Sequence, residues 1–382
     1  MNKEIYLDNS ATTRPYDGAV DVAVAHLTDY YNPSAIYRSA IEVSKKIETV
    51  RKLLLKSING SQGTLIFTSG GTESINSAII QNTRKDMSVV STAYEHDATI
   101  KSLEKLEQDG IQVIRVKPQG GKIDIDEIIS QMDNKTSMVS VMHVNNETGH
   151  IIDIEALGRA IKEKNQRTAF HVDAVQSYMK MKVDVQAAMI DFLSLSSHKI
   201  HGIKGTGALY IRNPERFKPL IYGGGQEQSY RSGTENVSGI LALGKAVEIG
   251  LDNFDQNIKH LKALRHYFLE NLSEIDDLAI NSPEDGAPHI LNVSFLGVPS
   301  EILLHTLEAS GICVSSGSAC SSKKKASRSL EALGIGEMEK KSAIRFSFSG
   351  FNTISDLDDA LEIIKKSVKS IREITKYKIQ VR

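Results

Sequence analysis

A cysteine among serines and glycines, SSGSACSS at residues 315–322, raises the first chemical question. Serine and glycine build exposed, mobile turns rather than cores. A thiol on such a segment is accessible, so its reactivity matters more than its packing. A chance surface thiol fits the same residues, and Cys320 needs company before it counts as a nucleophile. The other cysteine, Cys313, sits in the apolar run GICVSS and reads as a core residue.

Further stretches supply candidates for that company. SLSSHKIHGIKGTGALY, 194–210, embeds Lys199 between two histidines and a run of glycines. A lysine held at a strand end in a mostly buried pocket can lose its proton and attack a carbonyl. An exposed loop lysine is the ordinary alternative. SGGTES, 69–74, follows a strand and opens a helix, so Gly71, Thr72 and the helix N–H groups could cup a phosphate. The same pattern also makes a tight turn, and no Gly-Lys-Ser/Thr follows to make a Walker loop. HVDAVQ, 171–176, places Asp173 at a strand end, where ligands of open α/β sheets bind, or where a carboxylate caps the next helix. YEHDA brings His96 to another strand end, and VNNETG brings two amides and a carboxylate to the next. Polar groups converging at several strand ends weigh more than any single motif.

These residues need a sheet to gather them. Between 64 and 212, short β-rich runs alternate with helical patterns. The runs are TLIFTS, MSVVSTAYE, IQVIRVKP, TSMVSVMHV, TAFHVDAV, DFLSLSS and GALYIR. Near-continuous apolar strands between helices predict an α/β fold: a mostly parallel seven-stranded sheet with helices on both faces. Near residue 255 the pattern changes to a long helix at 252–274, the strands ILNVSFLG, GICVSS and AIRFSFS, and a helix at 299–310. The spacing of Ser355 to Asp358 predicts a capping box opening a last helix, which ends in a Lys/Arg-rich turn. The expected division is a large domain over 15–255. A smaller α+β domain takes 1–14 and 256–382 and carries the Cys320 loop.

Composition narrows the function. Of 382 residues, 40% are hydrophobic and 24% charged, as in an ordinary globular protein. The net charge of -1 gives no global field toward nucleic acid or anionic lipid. Two cysteines argue against a disulfide framework and for a reducing compartment. MNKEIYLDNSATT has no apolar signal core, and no apolar run is long enough to span a bilayer. A cytoplasmic enzyme is the expectation, with no direct nucleic-acid or membrane role and no metal site.

The segments YLDNSATT, SGGTES, EHDA, VNNETG, DAVQ, SSHKIHGIKGTGALYIR, GGGQEQSYRSGTENV, SSGSACSS and AIRFS occur in this order. Together they resemble the cysteine desulfurases of the NifS/IscS type, class V aminotransferase relatives with the fold-type I architecture of pyridoxal-phosphate enzymes. The resemblance runs from about residue 4 to 350. It implies that Lys199 binds pyridoxal phosphate covalently and moves the substrate's Cα proton. Asp173 would pair with the pyridine nitrogen, His96 stack on the ring, and Gln176 bond its hydroxyl. Gly71, Thr72, Ser196 and His198 would hold the phosphate, and Thr234 would reach the phosphate of a neighbouring subunit, making a homodimer obligatory. Asn146 and Arg345 would bind the carboxylate of L-cysteine, Arg345 by a two-pronged contact. Cys320 would take the sulfur as a persulfide, release L-alanine, and swing on its loop to an acceptor protein.

Three stretches depart from the usual pattern: Tyr37 in NPSAIYRSA, Lys324-Lys325-Ala326-Ser327 after the cysteine loop, and Phe348-Ser349-Gly350 after AIRFS. They leave the acceptor open between an iron–sulfur scaffold and a tRNA-thiolating enzyme, with a lean toward the latter. Rival readings are a selenocysteine lyase or aminotransferase on the same scaffold, or a non-catalytic scaffold protein. A dinucleotide-binding oxidoreductase is disfavoured, because no G-x-G-x-x-G opens the first strand–helix turn.

Overall fold

The computed structural model describes residues 4–119, 122–316 and 327–377. Cys320 and the three lysines at 323–325 therefore lie outside the described residues. The first strand, β1, is Ile5–Tyr6. All seven expected strands of the large sheet are present: β2 (Thr64–Thr68), β3 (Ser88–Thr92), β4 (Gln112–Val116), β5 (Thr136–Met142), β6 (Ala169–Asp173), β7 (Phe192–Ser196) and β8 (Gly207–Ile211). Their order is β2-β8-β7-β6-β5-β3-β4. Only β8 runs against its neighbours β2 and β7. The carboxyl ends of the other strands thus share one edge of the sheet.

Alternation along the strands explains why both faces are covered. Leu65 and Phe67 join one core with Val43, Ile47 and Leu54 of the helix Arg38–Ser57 and Leu243 and Val247 of the helix Val237–Asp252. Ile66 between them joins another core, with Ile75 and Ile79 of the helix Gly71–Ile79 and Leu103 and Leu106 of Asp97–Gln108.

The later strands are β9 (Leu278–Ile280), β10 (Ile290–Phe295), β11 (Ile312–Cys313), β12 (Ser315–Ser316) and β13 (Ala343–Ser347). They make a four-stranded sheet β12-β13-β10-β9, while β11 pairs with β1. A separate core holds them: Leu7, Leu291, Phe295 and Phe346 pack with Leu261 and Phe268 of the helix Phe254–Leu272 and Leu357 and Leu361 of the last helix.

Three expectations shift. GICVSS is not one strand, because its two short halves pair with different sheets. The long helix begins at Phe254, after a break at Asn253 that ends the preceding helix. The last helix, Ile354–Thr375, is capped by Thr353 and Asp356, two residues ahead of the expected Ser355–Asp358 pair, and its last turn holds one basic residue, Arg372. Both pairs have the same Thr/Ser-x-x-Asp spacing, so the pattern alone fits two registers.

Candidate active site

The site grows from the shared carboxyl edge. β6 ends in Asp173, whose Oδ1 accepts the Val175 N–H at 2.9 Å and closes a turn; no helix lies between β6 and β7, so it caps none. The residue is only 5% exposed. Burial pushes its carboxyl above the ordinary value, and His96 and Lys199 pull it back. A buried carboxylate in this position calls for a cationic partner.

β7 ends in Ser196, and one turn of 3-10 helix (Ser197–Lys199) follows. The half-buried Lys199 amine donates to the Ala11 carbonyl at 2.8 Å and to that of Ser10. Gln176 Nε2 donates to the same Ser10 carbonyl at 2.9 Å. The N-terminal segment YLDNSATT therefore lies directly against Lys199 and Gln176. His198 bonds Thr12 Oγ1 through Nδ1 at 3.1 Å. Burial first, then Lys199, Lys204 and Lys180, push its pKa down to about 4.

Gly70 opens the next turn with φ 153°, a backbone that side chains rarely adopt. At Gly71 an added Cβ would sit 2.7 Å from Val175 and 3.6 Å from Ser196 Cβ, so the SGGTES turn rests against the ends of β6 and β7. Thr72 is exposed in the first turn of its helix. Thr234 is exposed on a cavity of about 240 Å³ that Thr68, Ser69 and Gly205 also line.

His96 is exposed and caps the helix Asp97–Gln108, its Nδ1 accepting the Ala98 N–H at 3.1 Å. Its ordinary capping role coexists with proximity to Asp173. Asn145 is buried and structural, holding the Thr148 N–H at 2.9 Å. Asn146 offers its backbone carbonyl to Arg345 at 3.0 Å. Arg345, on β13, also pairs with Asp8 at 2.6 Å. Its buried Nε has no partner. Asp173, His96, Lys199, Gln176 and Ser196 thus gather at one sheet edge. Arg345 arrives from the second core.

Sequence reasoning did not single out Asp8, Ser10 or Lys180, and gave the carboxylate of VNNETG, Glu147, no specific role. Asp8 and Ser10 lie inside YLDNSATT, where a carboxylate in a polar N-terminal segment was the available signal. Glu147 is reached by the Ser327 hydroxyl, which ties the chain a few residues past Cys320 to the VNNETG turn. Burial raises the Glu147 carboxyl pKa, against Ser327 and Arg345. Cys313 is half-buried on β11, with its thiol pKa pushed up chiefly by burial.

The residues present suit pyridoxal phosphate. Ser196 Oγ and Gln176 Oε1 are buried without a partner, and the charges of His96 and Lys199 act on the buried Asp173 carboxyl. No cluster of metal-ligating side chains occurs among the described residues. No helix among them is long and apolar enough to cross a membrane.

Comparison with known proteins adds a family. The class-V aminotransferase model matches residues 5–360. A cysteine desulfurase of Trichormus azollae is 36% identical over 382 residues, covering 98% of this chain and 95% of that protein. The cysteine desulfurase IscS of Clostridium botulinum is also 36% identical, over 386 residues, covering 98% and 97%. A solved NifS-like protein superposes with a TM-score of 0.90 at 32% identity, covering 96% of this chain and all of that one.

Proposed function

Because the chain belongs to the class-V aminotransferase family and, within it, to the cysteine desulfurases, we propose that it converts L-cysteine to L-alanine with Cys320 as the sulfur carrier. The observation that supports this best is the meeting of Lys199 and Gln176 on the Ser10 carbonyl, beside buried Asp173.

Pyridoxal phosphate, when bound, supplies the electron sink that acidifies Cα and weakens the C–S bond. The chain's own residues do the rest. Asp173 would neutralise positive charge at the ring nitrogen, and His96 would cover the ring. Gln176 would fix the ring's hydroxyl; Gly71, Thr72, Ser196 and His198 would hold its phosphate. The Lys199 amine would hold the cofactor and would carry the proton at Cα. Arg345 and Asn146 hold the substrate carboxylate. The Asn146 carbonyl and Asp8 each occupy one terminal Arg345 nitrogen, so a two-pronged contact requires both to share. The Cys320 thiolate attacks the substrate sulfur: an S–S bond forms, the C–S bond breaks, and its electron pair stays on carbon and gains a proton. The products are L-alanine and a persulfide on Cys320, with no external oxidant or reductant needed.

The reading includes a large domain over 15–255 and a small one over 1–14 and 256–382. It also includes a cytoplasmic homodimer in which Thr234 completes the neighbouring phosphate site. Exposed Val24, Leu27, Tyr30 and Ile36 support such a pairing surface. The sulfur acceptor in this reading is a protein, an iron–sulfur scaffold or a tRNA-thiolating enzyme. The test is alanine release from L-cysteine by the pyridoxal-phosphate-loaded protein, beside sedimentation of the same sample. Alanine formed catalytically with a reductant as acceptor supports the reading. Loaded protein that forms none overturns it.

A further inference from the structure

Lys180 is only 7% exposed, and its ammonium nitrogen has no hydrogen-bond partner. It lines a narrow cavity of about 30 Å³ with Thr13, Tyr16, His201, Asn257 and Ser349. That volume takes one or two water-sized occupants. The walls come from two cores: Ile200 belongs to that of the large sheet, Leu261 and Phe348 to that of the small one. None of Gly71, Thr72, Ser196, His198 or Thr234 lines it, so it is separate from the phosphate cup.

The charges around Lys180 are one-sided. Lys199 repels it, and burial with Lys199 pushes its pKa down to about 7. His198, His201 and His289 all feel its positive charge. No Asp or Glu lines the cavity among the described residues. A buried ammonium without a counter-charge is costly. The same cavity offers the Tyr16 hydroxyl, the Asn257 amide that bonds it, and the Ser349 hydroxyl, whose bond to Asn352 is long at 3.4 Å; the Thr13 hydroxyl already donates to the His198 carbonyl.

We propose that this cavity binds one small monovalent anion of halide size, which neutralises Lys180 at the junction of the two cores. A cation is refused by the ammonium and by the lack of carboxylates, and a phosphate-sized oxyanion is refused by the volume. The bound anion bridges Lys180 to Asn257 and Ser349, tying the small domain's elements to the large domain. This site does not depend on the desulfurase reading.

The test is thermal unfolding of the holoenzyme in sodium chloride or bromide against sodium gluconate at constant ionic strength, with bromide anomalous scattering from crystals. The expected result is a saturable rise in Tm of a few degrees with either halide, together with a bromide peak beside Lys180 Nζ. Lys180→Met should abolish the rise and Ser349→Ala should weaken it. A Tm indifferent to halide, or a cavity without bromide, overturns the proposal and leaves water as the occupant. Should Lys180→Met fail to fold, the wild-type titration and the bromide map still decide.

Discussion

At the ends of β6 and β7, Asp173, Gln176, Ser196 and Lys199 come from one short stretch of chain and one sheet. At the other side, Arg345 meets Asp8 across 337 residues and stands on the small sheet. In the first group strand pairing and burial fix Asp173 and Ser196, while Lys199 and Gln176 also hold the Ser10 carbonyl of the N-terminal segment. The second exists only when the N-terminal segment and the second core dock together. Chemistry at the cofactor side should therefore respond to single side chains. Carboxylate binding should respond to docking as well.

Lys199→Ala gives the largest expected effect, because it removes both the cofactor's attachment and the proton carrier. Alanine release should drop about 10³-fold or more with the fold retained by circular dichroism. Arg345→Lys should lower kcat/KM by about 10- to 100-fold, mainly through KM, since a planar charged contact is lost. A loss confined to kcat would show that Arg345 does not hold the carboxylate. Asp8→Asn should move KM less than Arg345→Lys does.

A third test probes the rigid side of the comparison. His171 lies buried between the Ser140 and Ser194 hydroxyls at 2.8 and 2.9 Å, and burial pushes its pKa from 6.5 to about 3. His143 is pushed by burial to about 4. The folded chain keeps both rings neutral while the unfolded chain protonates them, so it binds fewer protons below about pH 6.5. Stability should fall as pH drops from about 6.5 toward 3, on the order of a few kcal/mol in all. Denaturant midpoints across that range measure it, and His171→Gln should flatten the slope. The smallest effect belongs to the second core: Thr353→Ala removes the cap of the last helix and should cost about 1 kcal/mol.

The same contrast sets what the sequence made legible. The seven strands of the large sheet stand out because each is a compact apolar run bounded by helical patterns. β11 and β12 are legible only as one strand, GICVSS, because each is two residues long and takes its partner from a distant segment. Likewise Lys199 and Asp173 sit in local, recognisable surroundings. The part played by Asp8 depends on a pairing that no local spacing encodes, and Lys180 looks like any other lysine until its burial is seen. The capping box shows the limit of spacing itself, since two overlapping pairs satisfied it and only backbone geometry chose Thr353.

The most direct test of the central claim is the intact mass of the protein before and after L-cysteine, in the wild type and in Cys320→Ser, with alanine measured alongside. A gain of one sulfur atom in the wild type, reversed by reductant and absent in Cys320→Ser, is the predicted result. Alanine formed with no sulfur gained, or the same gain in Cys320→Ser, would contradict the assignment of Cys320 as the sulfur carrier.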